Sequence, residues 1–114
     1  MKNLFAIVAL AVAVSFFISC GGGRSGNPRV LVFSKTADFH HESIPTGVEA
    51  IQQLGKENGF DVDTTTDAAM FNEDSLKNYA AVVFLSTTGD VLNYRQEEAF
   101  ERFIQAGGGY VGVH

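Results

Sequence analysis

Three short apolar segments constrain the fold of this chain more than any other feature. Residues 29–34 and 80–85 are almost continuously apolar over the length of a strand, and residues 110–113 begin a third such segment. Continuous apolar character is typical of strands that are covered on both faces, as in parallel sheets. Residues 60–64 alternate between apolar and polar, which predicts an outer strand. The chain is therefore expected to build a sheet that helices cover.

Helical patterns separate the predicted strands. Apolar residues recur at intervals of three or four over residues 43–58, and Ser43 is placed to cap this helix. A second, short helix is predicted over residues 72–78. Residues 93–106 open with a capping-box pattern and stop before Gly107, which favours a left-handed helix end.

This alternation of strands and helices predicts an α/β fold with a parallel sheet and helices on both faces. Right-handed connections give the strand order 2-1-3-4, which is flavodoxin-like. A sheet that stopped at its fourth strand would expose a long apolar edge, which proteins normally avoid. We therefore expect the domain to be incomplete, with further strands and helices following His114.

The first 19 residues have the composition of an export signal. Lys2 precedes an uncharged, largely apolar stretch over residues 4–18, which is shorter than the roughly 20 residues of a membrane-spanning helix. Residues 17–20 resemble a bacterial lipobox, in which Cys20 is lipidated and becomes the first residue of the mature protein. We predict a lipoprotein of the bacterial cell envelope, held by its lipid on the periplasmic side or at the cell surface. An ordinary signal peptide with an incidental cysteine is the alternative.

Composition narrows the function of the remaining chain. Residues 20–28 are rich in glycine, which predicts a flexible tether before a domain at residues 29–114. Loss of the signal would change the formal net charge from −5 to −6, and an acidic domain is not expected to bind nucleic acid. Since the chain has a single cysteine, it cannot form an intramolecular disulfide.

Polar residues that could carry chemistry collect at one edge of the predicted sheet. Open α/β sheets bind ligands beyond the carboxyl ends of their strands, and residues 35–43, residues 86–90 and His114 fall there. All three histidines of the chain belong to this group. The candidate catalytic residues are His114, His41 and Asp90, and the candidate substrate-binding residues are Lys35, His40, Ser43, Thr87, Thr88 and Gly89.

Each of these residues also has a purely structural interpretation. His41 and Ser43 could simply cap the first helix. Thr87 and Thr88 could satisfy backbone groups of their loop, and Asp90 could be a local hydrogen-bond acceptor. His114 is the candidate that packing explains least, because an apolar strand has little use for an imidazole at its tip.

Three ordered motifs resemble the ThuA-like, or trehalose-utilisation, family. They occupy residues 39–44, 83–90 and 107–114, and the resemblance covers residues 29–114. The family is related in fold to the class I glutamine amidotransferases, which implies the flavodoxin-like sheet predicted above. It also implies use of trehalose and related disaccharides, often beside sugar oxidoreductases, so that a sugar oxidoreductase is an expected partner.

The resemblance assigns only some residues. His41 matches the histidine of the family's Phe-Arg-His-like motif, whereas His40 stands where arginine is usual. Gly89 and Asp90 match the loop after the third strand. His114 falls where amidotransferases place a nucleophilic cysteine, and an imidazole cannot perform thiolate chemistry on glutamine. Amidotransferase activity is therefore not expected.

Two hypotheses for the function remain open. The first is an envelope enzyme acting on a trehalose-like disaccharide or an oxidised sugar derived from one. His114 or His41 would be its general acid or base, and Asp90 would orient an imidazole or hold a sugar hydroxyl. The second is a catalytically silent, lipid-anchored module that binds sugar or a partner enzyme. Phe39 is the one aromatic residue expected near the site, and this scarcity favours the enzyme.

A metal site is a further alternative at this edge. Zinc and similar divalent ions favour imidazole and carboxylate ligands, so His41, His114 and Asp90 could bind one together. Their spacing in the sequence does not match a metal motif, and we assign no metal ligand. A nucleotide cofactor is not expected, because no glycine-rich loop joins a strand to a helix in the required way.

Overall fold

A computed structural model describes residues 26–114. In chain order, the elements are β1 (Arg29–Phe33), α1 (Ile44–Asn58), β2 (Asp61–Thr65), a 3-10 helix (Ala68–Met70), α2 (Glu73–Leu76), β3 (Ala81–Leu85), α3 (Tyr94–Gln105) and β4 (Gly109–Val113). None of the helices in this part combines the length and apolar character that crossing a membrane requires. The predicted signal peptide, Cys20 and most of the predicted tether lie outside the described residues.

The four strands form one parallel sheet in the order β2-β1-β3-β4. Val30 of β1 lies opposite Val62 of β2 on one side and Ala81 of β3 on the other, so β1 is a central strand. The predicted α/β class, strand order and outer position of β2 are confirmed.

The helices cover the two faces of the sheet with different cores. Because successive side chains of a strand point to opposite faces, Val32 belongs to one core and its neighbours Leu31 and Phe33 to the other. The core beneath α1 is small and aliphatic, with Val32, Val83 and Leu85 buried. The core beneath α2 and α3 is larger and aromatic, and its buried members are Leu31, Phe33, Ala68, Phe71, Leu76, Tyr79, Val82, Val91 and Ala99.

Three rings meet Phe71 edge to face in the aromatic core. Phe71 lies with its ring centroid 4.7 Å from that of Phe33 and 5.6 Å from those of Phe84 and Phe100. Such pairs stabilise a fold by about 0.5–1.5 kcal/mol beyond the burial of their area. The core on this face of the sheet has more buried residues than the core beneath α1.

The ends of α3 follow the sequence pattern. The backbone N–H of Gln96 donates to Asn93 Oδ1 at 3.0 Å, and the N–H of Asn93 donates to Gln96 Oε1 at 2.9 Å, which is the predicted capping box. Gly107 has a φ of +98° and donates to the carbonyl of Ile104. The N–H of the next residue donates to the carbonyl of Phe103, which completes a Schellman end.

Two predicted helix boundaries need correction. Ser43 precedes α1 but makes no side-chain capping bond, because its φ of −75° and ψ of −9° are already helical. A capping side chain usually works from an extended backbone, so Ser43 contributes only its carbonyl, which accepts the ordinary helical bond from the N–H of Gly47. Asn72 does cap α2, accepting from the N–H of Ser75 at 2.9 Å, but the helix ends at Leu76 rather than at residue 78.

A polar network ties the amino-terminal half of the sheet together. The Tyr79 hydroxyl donates to Asp63 Oδ2 at 2.7 Å, and the Arg29 guanidinium pairs with the same carboxylate oxygen. The guanidinium also lies over the Tyr79 ring, 5.5 Å from its centroid. Burial raises the pKa of Tyr79, and the hydrogen bond to Asp63 and its negative charge add to the shift, while Arg29 opposes it.

β4 is less covered than the sequence predicts. It pairs with β3 along its whole length, yet Tyr110, Val111 and Val113 are 56%, 50% and 45% exposed. The sequence indicates a strand buried on both faces. Within residues 26–114, however, β4 has a neighbouring strand on one edge only, and the rings of Phe84 and Phe100 reach only Tyr110.

Candidate functional site

The loops that follow β1 and β3 leave the sheet toward opposite faces. The first leads into α1 and the second into α3, so a crevice opens between the carboxyl ends of these two central strands. Open α/β sheets bind their ligands at such a switch point. We call the surface formed here by residues 34–43, residues 86–93 and His114 the rim.

Direct contacts hold the two loops of the rim together. The N–H of Ala37 donates to the carbonyl of Thr88 at 2.8 Å, and the Thr88 hydroxyl donates to the carbonyl of Phe39 at 2.5 Å. Thr36 and Thr88 also form an isolated parallel bridge. We call these contacts the clip. The Thr88 hydroxyl, a predicted substrate-binding group, therefore donates its proton within the protein.

Gly89 allows the loops to approach each other this closely. Its φ is +73°, a conformation that side chains rarely adopt. A Cβ at this position would lie 3.2 Å from the Cβ atoms of both Ala37 and Asp38. The glycine predicted as a substrate-binding residue is thus also required by the geometry of the rim.

Two of the predicted catalytic residues meet at the rim. The imidazole rings of His41 and His114 lie with their centroids 5.4 Å apart at an interplanar angle of 82°. His41 is half-buried and His114 is exposed. His41 follows β1 and His114 follows β4, and these strands are not neighbours. The pair therefore reaches across the end of β3, over the crevice.

Phe39 extends this row of rings. Its ring centroid lies 4.9 Å from that of His41, at an interplanar angle of 78°. The side chain is nevertheless 65% exposed. The sequence prediction did not include Phe39 among the site residues, although a phenylalanine between two polar neighbours in a polar loop was a visible signal.

The remaining predicted residues of the β1 loop lie outside this row of rings. His40 is exposed, and its Nδ1 lies 3.4 Å from the Thr36 hydroxyl in the same loop. Ser43 is exposed at the start of α1, and its hydroxyl makes no capping bond. Both side chains are open to solvent at the rim.

Asp90 shares a depression of the rim with Lys35 and not with the histidines. The two residues line a depression of about 320 Å³ whose other walls are Ala68, Val91, Leu92, Asn93 and Gln96. Neither His41 nor His114 lines this depression. Within residues 26–114, no three histidine, cysteine, aspartate or glutamate side chains are arranged to hold a metal ion. The structure therefore places His41 against His114, and Asp90 in the same depression as Lys35, as two separate parts of the rim.

Ser86 was placed at this edge by the sequence but was not among the candidate site residues. It is 5% exposed, has a φ of +48°, and its N–H donates to the carbonyl of Val113 at 2.7 Å. This hydrogen bond places it beside the strand end that carries His114. A left-handed serine costs about 1–2 kcal/mol, and such strain is concentrated at functional sites. No local pattern predicts it, because the conformation is imposed by the pairing of β3 with β4.

A larger depression than the one beside Asp90 lies at the other end of the sheet. It measures about 640 Å³, and its walls are Asn27, Gln52, Gly55, Lys56, Gly59, Phe60, Asp61 and Val62. It contains no histidine, and its titratable side chains are Lys56 and Asp61. We therefore place the candidate functional site at the rim. The choice rests on the chemistry of the rim side chains and not on the size of the cavity.

Known proteins share the sequence pattern and the fold of residues 29–114. The family model described as ThuA, trehalose utilisation, matches these residues. The crystal structure of a ThuA-like protein from Bacteroides uniformis is similar, with a TM-score of 0.65 and 22% sequence identity. The similarity covers 84% of this chain and 39% of that protein, so this chain spans less than half the length of that protein. A search of curated proteins found no match.

Proposed function

Because the chain belongs to the ThuA, or trehalose utilisation, family, we propose that it is an enzyme acting on trehalose-like disaccharides or on oxidised sugars derived from them. The observation that carries this proposal is the contact between the His41 and His114 rings across the crevice. An imidazole can accept and donate a proton near neutral pH, which suits general acid–base catalysis on sugar hydroxyls and glycosidic oxygens.

The two histidines have different roles in this proposal. His114 is the exposed member of the pair, so it meets the substrate and transfers the proton. His41 is half-buried between Phe39 and His114, so it positions the imidazole of His114. The rings of Phe39 and His114 on two sides of His41 restrict the orientation of its imidazole, which suits a positioning role.

The other rim residues bind the substrate. Lys35 and Asp90 line one depression and offer a charged donor and a charged acceptor for sugar hydroxyls. His40, Ser43, Thr87 and the backbone around Gly89 supply further polar groups along the same edge. Glutamine amidotransferase activity is not part of the proposal, because His114 takes the place of a thiol nucleophile.

The test is replacement of His114 by alanine in the full-length protein. We expect His114→Ala to lower turnover of the disaccharide by at least about 100-fold, the usual contribution of a general acid or base. Its unfolding midpoint should match that of the wild type, since the side chain is exposed. Glu49→Gln, an exposed change on α1, is the control. Turnover equal to that of the wild type would refute the catalytic role of His114.

Removal of divalent metal separates proton transfer from metal chemistry. We expect turnover to survive dialysis against a chelator, because the proposal assigns the proton transfers to imidazoles. Loss of activity that zinc restores would instead support the metal alternative at His41 and His114.

The exposed ring of Phe39 favours a second candidate, a catalytically silent module that binds sugar. Aromatic side chains that are open to solvent are typical of sugar-binding surfaces, and this one is 65% exposed. Binding of trehalose without any turnover of trehalose or its oxidised derivatives would support this candidate.

We further propose that the protein is exported and held in the bacterial cell envelope by a lipid on Cys20. The support is the sequence alone: Lys2, the apolar stretch over residues 4–18 and the lipobox-like residues before Cys20. The intact mass of protein extracted from membranes should correspond to a chain that begins at an acylated cysteine. Cys20→Ser should move the protein out of the membrane fraction, and a mass that includes Met1 would contradict the anchor.

A sugar oxidoreductase is the partner that this proposal predicts. An enzyme that supplies oxidised sugars would deliver the substrate to the rim. Crosslinking in intact cells, followed by identification of the linked protein, tests this expectation.

A further inference from the structure

Phe39 is the large apolar side chain that the rim exposes most. It is 65% exposed, whereas Leu92 is half-buried and Val91 is 9% exposed. A single exposed apolar side chain is common on protein surfaces and needs no explanation by itself. The surroundings of Phe39 are what distinguish it from a surface residue of this kind.

The backbone of Phe39 is held in place while its ring faces solvent. Its carbonyl accepts the Thr88 hydroxyl at 2.5 Å, from a loop on the other side of the crevice. The N–H of Ala37, two residues earlier, is bound to the same threonine. Binding a ligand on a pre-positioned ring costs little conformational entropy, which distinguishes Phe39 from an aromatic residue on a mobile loop.

The ring also lies beside groups that recognise hydroxyls. His41 is 4.9 Å from Phe39, and His114 is 5.4 Å from His41, measured between ring centroids. An apolar surface next to a small number of polar groups is the usual composition of a small-molecule site. A pyranose has the complementary chemistry, since its axial C–H bonds form an apolar face and its hydroxyls project from the edge.

We propose that Phe39 is the platform on which one pyranose ring of the ligand stacks, and that it selects cyclic sugars over open-chain polyols. This inference rests on the proposed function, because it assigns a substrate contact within the same site. The C–H face of the sugar lies on the phenylalanine ring, and hydroxyls at its edge reach His41 and His114. An acyclic polyol carries the same hydroxyls but has no rigid apolar face to stack.

The absence of tryptophan from the sequence gives a direct test. Phe39→Trp would introduce the one indole within residues 1–114, so the fluorescence that the variant gains over the wild type reports on position 39. We expect saturable quenching or a blue shift when trehalose is added, and neither when sorbitol is added at the same concentration. Leu54→Trp is the matched control, because Leu54 is 50% exposed in the last turns of α1, away from the rim.

Calorimetric titration of trehalose measures the contribution of the ring. We expect Phe39→Ala to weaken binding about tenfold, which corresponds to the upper range of an aromatic contact. Phe39→Trp should keep wild-type affinity or improve on it, and Leu54→Ala should leave it unchanged. Since Phe39 and Leu54 are both exposed, all three variants are expected to fold, and circular dichroism checks this.

The outcomes separate the platform from the function on which it rests. If the wild type and Phe39→Ala bind trehalose equally, the platform is refuted and the proposed function stands. If sorbitol binds as tightly as trehalose, the selectivity is refuted. If the full-length wild type neither binds nor converts any of these sugars, the proposed function fails and the platform fails with it.

Discussion

The two ends of the sheet use their polar side chains differently. At the amino-terminal end, the Asp63 carboxylate accepts the Tyr79 hydroxyl and pairs with Arg29, so three polar groups satisfy one another. At the rim, Lys35 and Asp90 take part in none of the ion pairs found in residues 26–114. The backbone at both ends comes from the same parallel strands.

This difference separates stability from chemistry within one sheet. Groups that bond to each other stabilise the fold and are unavailable to a ligand. Groups without such partners contribute little to the fold and can bind or protonate a substrate. The comparison therefore predicts that substitutions at the amino-terminal end change stability, whereas substitutions of exposed rim side chains change function.

The largest effect is expected at Asp63. Asp63→Ala leaves the hydroxyl of Tyr79, a residue that is 8% exposed, without its acceptor and Arg29 without its counter-charge. We expect the free energy of unfolding to fall by about 2–3 kcal/mol, measured by urea denaturation. Asp63→Asn keeps an acceptor oxygen and should lose less. Equal losses in both variants would mean that the hydrogen bond contributes nothing.

The next effect is expected at Gly89, where the backbone of the rim is constrained. Gly89→Ala should cost about 1–2 kcal/mol for the left-handed conformation, and more for its contacts with Ala37 and Asp38. Gly59→Ala is a matched control, because Gly59 has a φ of +74° and a Cβ added there would meet nothing within 4 Å. Equal losses of unfolding free energy would show that the loop contacts at Gly89 cost nothing.

A smaller effect is expected for Tyr79→Phe, about 1 kcal/mol at neutral pH, for the lost hydrogen bond to Asp63. The effect depends on pH because the folded pKa of Tyr79 is raised above its ordinary value of 10.0. The folded state thus favours the protonated phenol. This contribution is fully present below pH 10.0 and is lost as the pH rises through the folded pKa.

Denaturation at several alkaline pH values tests this sign. The wild type should lose more stability than Tyr79→Phe between neutral pH and pH values above 10.0. Parallel losses in the two proteins would contradict the raised pKa.

The smallest effect on stability is expected for the rim histidines. His41→Ala and His114→Ala should each change the free energy of unfolding by no more than about 0.5 kcal/mol, as is usual for residues without buried bonds. Turnover should fall sharply in both. A stability loss in either variant as large as that of Asp63→Ala would contradict the proposed difference between the amino-terminal end of the sheet and the rim.

The sequence predicts the sheet well because the sheet depends on local and repetitive patterns. The apolar segments of β1 and β3, the capping box at Asn93 and the turn at Gly107 each carry their signal within a few residues. The order of the strands follows from the handedness of their connections. These features do not require knowledge of which distant side chains meet.

The candidate site was predicted only as far as topology allows. The sequence placed all three histidines at one edge, but it did not show that His41 meets His114 while Asp90 lies with Lys35. The strained conformation of Ser86 was also missed, since it arises from pairing between strands that are distant in the sequence. Whether His41, His114 and Asp90 could bind one metal ion also depended on the distances between them, which the sequence does not give.

The helix boundaries show the same contrast: the sequence predicts features that depend on nearby residues and misses those that depend on the surrounding structure. Asn72 was placed correctly as a cap, because the bond from Ser75 is local. Ser43 was not, because the turn that precedes α1 is already helical and carries the hydroxyl away from the first N–H groups. The 3-10 helix Ala68–Met70 has too little periodicity to be recognised in the sequence.

The clip also determines when the rim can form during folding. Its hydrogen bond joins Phe39 to Thr88 across 49 positions of the chain, so closing that loop alone would be entropically unfavourable. We expect pairing of β1 with β3 to bring the two loops together first. We therefore expect the clip to be absent from the folding transition state, so that its loss accelerates unfolding and leaves the rate of folding unchanged. We therefore expect the sheet to assemble before the rim does, and a chain still emerging during synthesis cannot complete the rim until His114 has been made.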